Sequence, residues 1–146
     1  MTSEQITALI RAAEGMLPRA YAPYSHFHVG TALLCTDGTV FTGCTVENAS
    51  YPAGSCAEQT VISKAVSEGK KDFAAICIAG GPNGVIQDYC PPCGICRQIM
   101  AEFCDPGSFK IILAKSTEDY RVFTLGELLP LSYGGKQFSE ESATEA

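Results

Sequence analysis

The chain has 146 residues and a net charge of −6, a length that suits one domain with an ordinary apolar core. No apolar run reaches the ~18 residues that a membrane-spanning helix needs. An acidic chain without a Lys/Arg stripe is a poor match for a phosphate backbone, so a small, weakly charged partner is expected rather than nucleic acid.

The N-terminus, Met1 to Ile6, has no basic segment leading into an apolar one, which predicts no leader peptide and a cytoplasmic protein. Ile6, Leu9, Ile10, Ala13 and Leu17 recur at helical spacing and predict a helix from about Ser3 to Tyr21, with Ser3 as N-cap and Pro18 disturbing the last turn. Ala22 to Ser25 reads as a loop. Phe27 to Cys35 and Val40 to Cys44 flank Asp37-Gly38, a strong hairpin signal. A polar loop, Glu47 to Ser55, leads into a helix from Cys56 to Glu68, stopped by Gly69. Phe73 to Ala79 reads as a buried strand, and Gly80 to Gly84 as a surface turn.

Pro92 suits the first turn of a helix running from about Cys93 to Phe103. Phe109 to Ala114 and Arg121 to Phe123 are strands. Thr124 to Leu129 is a short helix with a Thr-x-x-Glu start. This order implies an α/β fold: three layers, α/β/α, around a mixed sheet of roughly five strands. The domain is expected to span residues 1–134, followed by a polar, acidic tail over 135–146.

Eight cysteines in a chain of this length, without signs of secretion, read as reduced thiols. Cys35, Cys44 and Cys77 fall in strands as small buried apolar residues, and Cys104 follows a helix. Cys56, Cys93 and Cys96 differ. Cys93 and Cys96 are three apart at a helix start, which puts both sulfurs on one face. Cys56 also opens a helix, and helix N-termini favour the thiolate that binds zinc. Three protein ligands leave zinc a fourth position for water, and Glu58, two residues past Cys56, can manage that water's protons. His or Cys as the first ligand, then Glu, then a distant Cys pair is the zinc deaminase signature.

Blander readings exist for each part. Cys90 as a fourth ligand would close the site into a structural zinc ribbon. A Cys93/Cys96 redox pair would leave Cys56 and Glu58 without a role. Ser55-x-x-Glu58 fits a capping box. His26 and His28 alternate along a strand and lack ligand spacing to a thiol.

Through Tyr24-Ser25-His26-Phe27, Gly43-Cys44, Val46 to Pro52, Cys56-Ala57-Glu58, Pro92 to Gln98 and Glu127 to Pro130, the chain resembles the small, homotetrameric cytidine deaminases with a three-cysteine zinc site. The resemblance implies one Zn²⁺ per subunit, a nucleoside substrate and sites shared between subunits. It casts Glu58 as the catalytic proton carrier. It assigns the Ala57 N–H to O2 of the base, the Pro91 carbonyl to the 4-amino group, Phe27 to packing against the base, and Glu47 to the ribose 3′-hydroxyl. Tyr51 and Tyr133 match residues donated to a neighbouring subunit's site, Tyr133 standing where Phe is usual.

Two positions depart from that pattern. Thr45 replaces an Asn that helps bind the 3′-hydroxyl, and the shorter hydroxyl predicts weaker dependence on that group. Gln59 replaces the Arg that usually accompanies three cysteines. It can donate to a thiolate but brings no charge, so the helix N-termini must carry more of the compensation. Both departures keep open an alternative substrate, such as a blasticidin-type nucleoside analogue. From a different class, a non-catalytic zinc-stabilised scaffold is the competing reading.

Overall fold

A computed structural model describes residues 1–138. Strand β1 is Phe27–Cys35, β2 Val40–Cys44, β3 Phe73–Pro82, β4 Lys110–Ala114 and β5 Tyr120–Thr124. They form one mixed sheet in the order β2-β1-β3-β4-β5. Only β3 and β4 are parallel; the other neighbours are antiparallel. The helices are α1 (Ser3–Glu14), α2 (Ala57–Ser67), α3 (Gly94–Phe103) and the short α4 (Leu125–Leu128).

Strand alternation sorts the core into two layers. Leu33, Ile76, Ile78, Ile111 and Leu113 face one side and pack with Val61, Ile62 and Ala65 of α2 and Met100 of α3. Ala32, Ala75, Cys77, Ala79, Ile112 and Ala114 face the other and pack with Leu9, Ile10 and Ala13 of α1. The α1 face is built mostly from small residues, which lets that helix lie close to the sheet. The expected three-layer α/β/α arrangement is what the chain adopts. Among the described residues, no helix is long and apolar enough to cross a membrane.

Register places the loops that matter. Gly30 pairs with Cys44 and Phe27 with Pro82. The start of β1 and the ends of β2 and β3 therefore share one edge of the molecule. The chain leaves that edge twice, each time into a helix N-terminus: residues 45–56 enter α2 and residues 83–93 enter α3.

Several boundaries differ from expectation. Helix α1 ends at Glu14 and gives way to a 3₁₀ turn, Leu17–Arg19, with Pro18 inside it. Its N-cap is Thr2, which exchanges hydrogen bonds with Gln5 in a capping box, so Ser3 is already helical. Gly80 and Gly81 belong to β3, and the turn is confined to Asn83 and Gly84, both at positive φ. The glycines extend the strand because the next segment folds back on them: a Cβ on Gly81 would lie 1.9 Å from the Val85 carbonyl oxygen. Cys93 is the N-cap of α3, so Pro92 precedes the helix instead of opening it. The polar loop holds a 3₁₀ turn, Tyr51–Ala53. His26 stands before β1 in a left-handed conformation, φ 58°. Of the expected tail, Gly135–Phe138 form a 3₁₀ turn; the remaining tail positions lie outside the described residues.

Gly43 sets the seat of α2. A Cβ there would come within 2.8 Å of Val61 Cβ and 2.9 Å of Val61 N. Gly43→Ala is expected to lower stability by about 1–3 kcal/mol, as overpacking does, because the helix must lift from the sheet. Thermal or urea unfolding checks this; an unchanged midpoint would contradict the close seating.

Candidate metal centre and substrate groove

Cys56 is the N-cap of α2 and Cys93 the N-cap of α3; Cys96 lies in the first turn of α3. The shared edge of β2 and β3 brings the two caps together. The three Sγ atoms lie within 4.8 Å of one another, and those of Cys93 and Cys96 are 3.7 Å apart. Zn–S bonds of ~2.3 Å at tetrahedral angles require sulfurs roughly 3.8 Å apart. The donor set and its spacing therefore fit zinc. Cys90 does not join the group. Its thiol turns toward Gly80, 3.2 Å from where a Cβ would stand there, and burial pushes its pKa up to about 12. The site keeps three ligands, so the closed zinc-ribbon arrangement is not formed by Cys90.

The thiols are not equivalent. Burial pushes Cys56 up, with the Glu58 carboxylate adding to the effect. Burial also raises Cys96, reinforced by Glu58 and Cys56. Burial acts on Cys93 too, but hydrogen bonds from the N–H groups of Cys96 and Ile95 outweigh it and leave its pKa lowered. The helix N-terminus thus favours a thiolate most clearly at its own cap.

Glu58 is 5% exposed. Burial raises its pKa, opposed in part by its own backbone N–H and by the Cys96 thiol. A shielded carboxyl shifted this way holds a proton it has taken up more readily than an exposed one, which suits it to accept and return protons. The capping-box reading of Glu58 fails: Cys56 is the cap, and the Ser55 hydroxyl pairs with the Thr60 hydroxyl at 2.9 Å instead. Beneath the turn, the buried Thr31 hydroxyl lies 3.1 Å from the Ala57 carbonyl and 3.2 Å from the Gly43 carbonyl. It ties the peptide between Ala57 and Glu58 to the sheet.

A groove of about 320 Å³ lies along the 45–55 loop, lined by Tyr24, Ser25, Glu47, Asn48, Tyr51 and Gly54. The loop's ends are pinned where Val46 and Ser55 exchange backbone hydrogen bonds. Glu47 accepts from Tyr24 N at 3.0 Å and from Ser25 N at 3.1 Å, and from the Ser25 hydroxyl at 2.5 Å. The Ser25 hydroxyl, then the backbone donors, hold its carboxyl below the usual range. Ser25 Oγ also accepts from Phe27 N at 3.0 Å, so one hydroxyl links the residues that the resemblance assigns to sugar and base. Thr45 Oγ1 lies 3.3 Å from Val29 N and 3.5 Å from Val29 O, turned to the sheet.

The Tyr51 ring sits 6.3 Å from that of Tyr24 and is 77% exposed. Ala57 is buried, Pro91 exposed and Gln59 half-buried, and among the described residues Gln59 donates no hydrogen bond to a thiolate. Tyr133 is not part of the groove lining; its carbonyl accepts from Gln98 Nε2 at 2.9 Å. Cys35 and Cys77 are buried as expected, while Cys44 is half-buried, its thiol 3.5 Å from the Arg19 carbonyl. Sequence reasoning assigned no role to Thr31 and did not see Ser25 as the support of Glu47. The one local signal was the Ser25-x-Phe27 spacing, which suits a hydroxyl-to-backbone turn.

Three thiols on two helix N-termini beside a buried carboxylate define the metal centre of a zinc-dependent deaminase. The chain matches the cytidine and deoxycytidylate deaminase zinc-binding region over residues 3–110, and it belongs to that family. A cytidine deaminase of Halalkalibacterium halodurans is 42% identical over 135 residues, covering 92% of this chain and 96% of that protein. The crystal structure of cytidine deaminase from Burkholderia pseudomallei superposes with a TM-score of 0.79 at 43% identity, covering 91% of this chain and 100% of that one. A blasticidin-S deaminase of Bacillus cereus is 30% identical over 135 residues, covering 90% of this chain and 94% of that protein.

The zinc assignment predicts a stoichiometry. Cys56→Ser, Cys93→Ser and Cys96→Ser are each expected to lose tightly held zinc, while Cys90→Ser keeps one ion per chain. Metal analysis after gel filtration checks this, and zinc loss in Cys90→Ser would contradict a three-thiolate site.

Proposed function

We propose that the protein hydrolyses cytidine and 2′-deoxycytidine to uridine and 2′-deoxyuridine, releasing ammonia, and so serves pyrimidine salvage in the cytoplasm. The observation that carries this reading is the convergence of Cys56, Cys93 and Cys96 beside buried Glu58 in a chain of this family. Cys56, Cys93 and Cys96 would hold the zinc ion, which when bound would supply a water acidic enough to be deprotonated near neutral pH. Glu58 takes up that proton and delivers it to N3 of the pyrimidine. Addition of the resulting hydroxide at C4 leaves a hydroxyl there. Glu58 takes the proton of that hydroxyl and hands it to the 4-amino nitrogen, and as C4=O forms the C4–N bond breaks and ammonia leaves. A carboxyl group with a raised pKa suits both halves of that exchange.

Around this centre the Ala57 N–H binds O2, the Pro91 carbonyl accepts from the 4-amino group, and Phe27 packs on the base. Glu47 faces the ribose; Thr45, its hydroxyl turned to Val29, adds little to that contact. Gln59 stands behind the thiolates without adding charge. Tyr51 and Tyr133 serve a neighbouring subunit in a homotetramer. What supports this is their outward placement: Tyr133 is 51% exposed, and Tyr24, Phe27 and Val46 leave further apolar surface beside the groove.

A second reading, deamination of a blasticidin-type analogue, draws support from the Bacillus cereus relative and from the departures at Thr45 and Gln59. Turnover of both substrates, followed by loss of ultraviolet absorbance with and without a chelator, separates them. Glu58→Gln is expected to lower kcat by about a hundredfold to ten-thousandfold while keeping zinc and fold. A variant retaining full activity would end this assignment, and an enzyme inert toward every aminopyrimidine would favour a zinc scaffold.

The sugar contacts carry a separate expectation. The Thr45 hydroxyl is engaged with Val29, and three donors already satisfy Glu47. Removing the 3′-hydroxyl of 2′-deoxycytidine should therefore lower kcat/KM by less than about tenfold, far short of the loss seen where a site is built around a substrate hydroxyl. A larger loss on the 2′,3′-dideoxy substrate would contradict this.

A further inference from the structure

Cys93 hangs from a segment with few ties of its own. Among the described residues, none between Ile86 and Pro92 makes a backbone–backbone hydrogen bond. Pro91 and Pro92 have no N–H to give. The segment must therefore be held through side chains and through its carbonyls. Tyr89 supplies one tie, its hydroxyl donating to Asp119. Asp88 accepts locally, from Tyr89 N at 2.7 Å.

The tie nearest the metal comes from Arg97. Its backbone N–H donates to the Cys93 carbonyl at 3.0 Å, and its Nε donates to the Pro92 carbonyl at 2.8 Å. One residue thus grips the carbonyls on both sides of the Cys93 Cα. The same guanidinium reaches away from the loop: Nη1 donates to the Leu128 carbonyl at 2.6 Å. Leu128 ends α4, where carbonyls lack helical partners. The next residue of α3, Gln98, holds the Tyr133 carbonyl at 2.9 Å.

We propose that Arg97 is the positioning residue of the metal loop, fixing Cys93 for zinc and locking that loop to the segment that carries Tyr133. A planar guanidinium can serve two carbonyls at a fixed angle, whereas a lysine ammonium on a flexible stem cannot hold both in one geometry. Supporting groups of this kind typically alter metal affinity by about tenfold to a hundredfold when removed. The Arg97 side chain donates to carbonyls and not to a thiol; it acts through Cys93. The inference rests on the zinc assignment alone and not on which base is deaminated.

The test compares the zinc-loaded wild type with Arg97→Met, which keeps the apolar stem, and Arg97→Lys, which keeps the charge and one donor. Zinc transfer to a chromogenic chelator is timed, and the cobalt(II)-substituted proteins are examined by visible absorption. Arg97→Met is expected to release zinc about tenfold to a hundredfold faster, with Arg97→Lys between it and the wild type and with altered cobalt–thiolate bands in both. A merely structural role would lower the melting temperature and leave the cobalt spectrum unchanged, and that outcome overturns the proposal. So does wild-type zinc release in either folded variant. Should Arg97→Met fail to fold, Arg97→Lys alone decides. A wild type without cytidine turnover would sink the substrate reading and leave this experiment fully interpretable.

Discussion

The constraint behind every feature of the site is the register of the antiparallel pairs around β1. With Gly30 opposite Cys44 and Phe27 opposite Pro82, two strands end at the edge where a third begins. Each exit delivers a helix N-terminus to the same place, and each helix is capped by a cysteine. A one-residue slip would turn every side chain of a strand to the opposite face and would separate these caps. Zinc ligation here is a property of sheet pairing before it is a property of three cysteines.

Two contacts transmit that register to the chemistry. Gly43 has no side chain, so α2 lies directly on β2. Thr31, fully buried, shares its hydroxyl hydrogen between β2 and the first turn of α2. A polar group is tolerated at that depth because it is hydrogen-bonded. Together they set how far the α2 N-terminus projects past the sheet, and hence where Cys56 and Glu58 stand. The groove has a similar construction. Glu47 is held by a turn 22 residues away in the chain, and that turn also sets the start of β1, where Phe27 emerges.

What could be read from the chain divides by distance along it. The hairpin was legible to the residue, since Asp37-Gly38 and the flanking apolar runs are local signals. The cysteine spacing and Glu58 were legible because helix starts and i, i+3 pairs are local too. Gly80 and Gly81 misled because glycine signals a turn by itself, while their place in β3 depends on pairing with Val29 and His28. Ser55-x-x-Glu58 misled because a sequence pattern for capping does not say which residue takes the cap. Thr31 and Arg97 left no mark of their long ties: the Ala57 and Leu128 carbonyls they hold lie 26 and 31 residues away, and only the folded chain brings them together.

The electrostatics of the triad follow from the same geometry. A zinc ion with three thiolates carries a net negative charge, and Gln59 supplies nothing to offset it. Arg97, next to Cys96 in the chain, turns Nε and Nη1 to two carbonyls and not to a thiol. Direct hydrogen-bond compensation is left to peptide N–H groups, and these are unevenly placed. Cys93 accepts from two N–H groups of its own helix and is eased toward the thiolate; Cys96 is buried and sits among negative groups that push it the other way. Ionising Cys96 is therefore work that the metal itself must do. Metal binding and proton release are coupled most tightly at that sulfur, and the fold contributes chiefly by keeping the three sulfurs too close together to escape the ion's field.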